Sequence, residues 1–210
     1  MALPAPDTFR GTDQSPPVNT GPNTKKPIDI KSPQFPAKVR DLTTQFEAKK
    51  STQPVNAELN TKMAVRNGDV QTTALRRLSI QLAGNLLKIH RALQQIDPTT
   101  AELTSQPSLQ DVTDSNAIDF LCQAGLPAMI QNLTNLFESK KNASNVRTLH
   151  IVDEARESFN DLPTNNLKLA QSLNTLEEAI VKLGGQPWAP VADISAVTAQ
   201  AVKGQGIGAE

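Results

Sequence analysis

The chain has 210 residues, room for one medium domain or two small ones, and its 21 Lys+Arg are balanced by 21 Asp+Glu. A net charge of zero excludes global steering toward nucleic acid or an acidic membrane surface. With six Phe, one Trp and no Tyr, the chain lacks the aromatic platforms on which proteins stack bases or sugars, which speaks against nucleic acid and carbohydrate as ligands.

Cys122 is the lone cysteine, so no intramolecular disulfide staples the fold. The N-terminus has neither a basic start nor an apolar stretch, so no cleavable secretion signal is expected. No apolar run approaches the roughly 18 residues of a membrane span, so no integral membrane association is expected.

Nine of the 15 prolines fall in residues 1–54. Residues 1–35 are rich in Pro, Thr, Asn and Ser without apolar periodicity, and are expected to form a disordered tail. A helix is expected from Pro36 to Lys50, since proline suits a first helical turn and Val39, Leu42 and Phe46 form one stripe. A short helix over 55–65 should end at Asn67-Gly68, with Asp69 capping the next. That next helix, 70–96, carries Leu75, Leu82, Ile89 and Ile96 at seven-residue intervals, flanked by Leu78, Leu86 and Leu93. Ile80 and Leu87 widen the apolar band enough to meet more than one neighbour.

Residues 98–114 read as a linker with at most one helical turn. Asp114 or Ser115 then caps a helix ending at Gly125, and Pro127 opens another to Lys141. Asn145 caps a further one, with Val146, Leu149, Val152 and Phe159 inward. The last strong helix, 164–183, places Leu169, Leu173, Leu176, Ile180 and Leu183 in steps of 4, 3, 4 and 3. Gly184-Gly185 and Pro187 end it, and 187–210 should be weakly structured. The fold class is thus all-α, a helical bundle.

Residues 36–50 (PAKVRDLTTQFEAKK) and 127–141 (PAMIQNLTNLFESKK) agree at eight of fifteen positions. The repeat suggests a tandem duplication of a helical unit, 36–97 and 115–186. Leu42 and Phe46 share a face, as do Leu133 and Phe137. Either both copies are core helices or one docks into a partner's groove. The first copy, beside the tail, is the better docking candidate through Val39, Leu42, Phe46, Glu47, Lys49 and Lys50. Its equivalents Ile130, Leu133, Phe137, Glu138, Lys140 and Lys141, with Met129 and Leu136 alongside, read as core.

Residues for chemistry are few. Cys122, His150 and Asp153 can be written as a hydrolase triad, but an inert buried thiol is the plainer reading. His150, Asp153 and Glu154 share a helical face without a second cluster to complete a metal site. Gly204, Gly206 and Gly208 mimic a dinucleotide motif but have no strand before them and no helix after. Lys25-Lys26, Lys49-Lys50, Arg76-Arg77 and Lys140-Lys141 are isolated basic pairs in a chain whose charge reads as well mixed. No catalytic residue, metal or cofactor is therefore expected. The layout resembles that of secreted bacterial effectors, a Ser/Thr/Pro-rich start before a helical body, which implies delivery into a host cell. The expected function is non-enzymatic protein binding by an adaptor or scaffold, in a cytoplasm. A small Cys- or His-dependent hydrolase or transferase and a self-associating helical protein are the alternatives.

Overall fold

The computed structural model describes residues 28–54, 56–98, 109–142 and 149–190, which form five helices and a 3₁₀ turn at Leu109–Asp111. They contain no strand, as the 3–4 spacing of apolar residues requires. Helix α1 is Phe35–Ser51, α2 Leu59–Ile96, α3 Ala117–Leu121, α4 Leu126–Lys140 and α5 Leu149–Lys182.

The expected tail overruns into ordered chain. Residues 28–34 pack on the body: Ile30 is buried, and its backbone N–H donates to Asn166 Oδ1 on α5 at 2.8 Å. The tail reading of residues 1–27 lies outside the described residues. So do the Asn145 cap and most of the linker and C-terminal segment.

Two expected helix breaks do not occur. Residues 59–96 form one helix through Asn67-Gly68, and Asp69 caps nothing; it is an ion-pair partner of Lys50. Glycine stands at 68 because a Cβ there would lie 1.9 Å from Phe46 Cε2. The residue is a close-approach point and not a stop. Helix α5 likewise runs straight through Pro163, which is exposed. An interior proline loses one helical hydrogen bond, at about 3 kcal/mol. Val152, Ala155, Leu162, Leu169, Leu173 and Leu176 continue the buried stripe on both sides and outweigh that loss. Gly184, at φ +76°, supplies the left-handed residue just past the end of α5.

Helices α2 and α5 lie side by side in opposite directions: residues 66–78 face 168–175, while Leu82 meets Phe159 and Leu162 further along. Helix α1 lies chiefly against α5, whereas α3 and α4 lie against α2. Each repeat helix therefore rests on the long helix of the other half. Buried side chains of all five helices join in one cluster, so 36–97 and 115–186 share a core.

Candidate interaction surface

The repeat residues come together as core. Val39, Leu42 and Phe46 are buried, as are Ile130, Leu133 and Phe137. Each repeat Phe meets the residue 22 positions further along: Phe46 lies on the α-carbon of Gly68, and Phe137 lies 5.4 Å from the ring of Phe159. Of the two readings of the first copy, this burial agrees with a core helix and not with docking through Val39, Leu42 and Phe46, whose side chains are used inside the fold.

The paired lysines close the ends of the bundle. Lys49 Nζ donates to the Gly184 carbonyl at 2.8 Å, just past the end of α5. Lys140 pairs with Asp97, the residue that ends α2. A cation beside a helix C-terminus meets the negative end of its dipole. Lys50 bonds Asp69, which raises its pKa above the ordinary amine value, and Lys141 pairs with Glu138 at 2.6 Å. Glu47 is exposed on the outer side of α1.

The groups considered for chemistry do not assemble. Cys122 is buried, with its carbonyl taken by Arg40 Nη2 at 3.1 Å, and burial pushes its thiol pKa up, away from the reactive thiolate. His90 is half-buried on α2, and desolvation, aided by Arg91, lowers its pKa. His150 is exposed beside Glu154 at 3.6 Å, while Asp153 pairs with Arg156. Among the described residues no group of His, Cys, Asp and Glu is placed to hold a metal ion.

One buried ionic site was not legible in the sequence. Lys38 and Glu177 pair at 3.2 Å between α1 and α5, nearly free of solvent. Lys38 also donates to Asn174 Oδ1 at 3.3 Å and lies 5.3 Å from the Trp188 ring centre. The Trp188 backbone N–H donates to Glu177 at 3.2 Å. The pair is covered and satisfied, which makes it a fastener for the segment after α5.

Four of the six exposed large apolar side chains among the described residues lie on the outer face of α2. Leu59, Met63, Val70 and Ile80 are 73, 55, 56 and 38 % exposed. Their spacings of 4, 7 and 10 residues keep them on one helical stripe. Arg66, Thr73 and Arg77 fill the intervening places of that stripe, all exposed. The whole helix carries six Lys and Arg against the single acid Asp69, so charge is not well mixed along the chain. Beside the stripe, α2 and α5 enclose a groove of about 850 Å³. Val70, Ala74 and Leu78 line it together with Arg66, Arg77 and Lys168. None of these three cations has an ion-pair partner among the described residues.

Comparison with family models, curated proteins and solved structures gives no match. Among the described residues no helix is long and apolar enough to cross a membrane.

Proposed function

We propose that this chain is a non-enzymatic helical protein that works by binding another protein, and that the outer face of α2 with its adjoining groove is the binding surface. The carrying observation is the apolar line Leu59, Met63 and Val70, each more than half exposed on a helix whose opposite face is fully used in the core. Isolated exposed apolar residues are ordinary; a spaced line of them on one helix marks a contact surface. The buried thiol, with its pKa pushed up, supports a binding role over nucleophilic chemistry. The lone cysteine and the effector-like composition of residues 1–35 fit a reducing cytoplasm, the cell's own or that of a host.

A photo-crosslinking side chain at Val70 tests this in cells that produce the chain. A discrete protein adduct at Val70, absent when the same group replaces the exposed Asn132 on α4, is the expected result. Equal labelling at the two positions would overturn the reading.

A further inference from the structure

We infer that the partner presents an acidic amphipathic helix, which lies along α2 and in the α2–α5 groove with carboxylates opposite Arg66, Arg77 and Lys168. This inference rests on the protein-binding reading above and specifies the chemistry of the partner.

Three observations lead to it. The first is period. Leu59, Met63, Arg66, Val70, Thr73, Arg77 and Ile80 step by 4, 3, 4, 3, 4 and 3, the repeat of a seam between two helices. The stripe from Leu59 to Ile80 is about 32 Å long at 1.5 Å per residue, enough for three heptads. The second is shape. The groove runs between two helices, the form that receives a third helix through anchors three, four and seven residues apart. The third is charge. Arg66 and Arg77 stand within the seam, not at its edge, so an apolar partner would bury them unpaired, at a large desolvation loss. A partner carrying Asp or Glu at those positions gains charge-assisted hydrogen bonds instead. Asp69, the one acid lining the groove, is already engaged by Lys50.

The same features disfavour a lipid surface. A helix lying on a membrane separates a broad apolar face from its flanking cations, whereas here Arg66 and Arg77 stand among the apolar residues along one line. The single Trp, Trp188, sits against Lys38 on the α1 side and anchors nothing here. Nucleic acid would leave Leu59, Met63 and Val70 without a complement, and the surface offers no aromatic ring for stacking.

The test uses the full chain and two synthetic helical peptides of about four heptads. Both carry leucine at the seam positions that meet Leu59, Met63, Val70 and Ile80; at the seam positions that meet Arg66 and Arg77 one has Glu and the other Lys. Binding is read by fluorescence anisotropy. The Glu peptide should bind tighter than the Lys peptide by about tenfold or more. Arg66→Glu with Arg77→Glu should reverse that order, and Val70→Asp should abolish binding of both. These side chains are exposed, and circular dichroism melts verify that each variant folds. Equal affinity for both peptides, unchanged by charge reversal but lost in Val70→Asp, overturns the acidic-helix inference and leaves protein binding standing. Binding of neither peptide overturns the inference, and a Val70 crosslink in cells then decides the broader reading separately. Binding to phosphatidylserine vesicles, lost on charge reversal while neither peptide binds, assigns the face to a membrane and overturns both.

Discussion

A methyl group at position 68 would fall 1.9 Å from Phe46 Cε2 and 2.3 Å from Cζ, far inside contact distance. Two effects oppose each other there. Alanine is favoured over glycine in a helix interior by about 1 kcal/mol. Overpacking a filled site typically costs about 1–3 kcal/mol. Phe46 is fully buried, so its ring has no solvent to swing into, and the steric effect wins. Gly68→Ala should therefore destabilise the chain, by up to about 2 kcal/mol net of the helix gain. In a Phe46→Leu background, where the ring edge is gone, the same substitution should cost less or stabilise. Denaturant midpoints of the four proteins in that cycle measure the coupling, and additive effects would contradict the close approach. The same scale explains why the Lys38–Glu177 pair was not legible in the sequence. A Lys in the PAKV segment and a Glu in LEEA look like ordinary surface charges, and only the crossing of α1 over α5 buries them together. Removing one partner of such a pair leaves a buried charge uncompensated, which is far more damaging than losing an exposed pair.

The elements whose limits were legible are those with uninterrupted spacing. Helix α1 was expected at 36–50 and is Phe35–Ser51; α4 was expected at 127–141 and is Leu126–Lys140. The long helices were each expected in two pieces, α2 because Asn67-Gly68 is a local breaker and α5 as a helix capped by Asn145 followed by one over 164–183. Burial on either side of Gly68 and of Pro163 is continuous, and packing along a 38-residue or 34-residue helix overrides one unfavourable residue. The repeat was legible as a pattern, but its role was not, since Leu42–Phe46 spacing is the same for a core stripe and a docking stripe. Burial decides it. Phe46→Ala and Phe137→Ala should each destabilise the fold by about 3–5 kcal/mol, because both rings are fully enclosed and leave cavities. Thermal or denaturant melts of the two single variants check this. A Phe46→Ala protein as stable as the parent would place α1 outside the core.

At the scale of the molecule, the helices divide their labour by partner and not by sequence order. Helix α2 faces the interior with Leu75, Leu82, Leu86 and Ile89 and the solvent with Leu59, Met63 and Val70. In the sequence Leu59 and Met63 fall in a short helix expected to end at Asn67-Gly68, so their alignment with Val70 and Ile80 on one outer face follows only from the continuity of α2 through Gly68. The reciprocal contacts carry a further consequence. Helix α1 lies chiefly on α5, and α4 lies on α2. A fragment of residues 28–98 contains α1 and α2 but loses α5, which normally packs along α2 and also accepts the Ile30 and Lys38 contacts. Leu75, Leu82 and Leu173 belong to one cluster, so neither half can enclose its own apolar stripe alone. The full chain should melt in one cooperative transition seen alike by circular dichroism and by Trp188 fluorescence, since Trp188 reports the α1–α5 side. The 28–98 fragment should show weak helicity and no cooperative melt as a monomer. Mixing it with a 109–190 fragment should restore helicity and the transition. A monomeric 28–98 fragment that unfolds cooperatively by itself would show that the first half encloses its own core, contrary to the crossed packing described above.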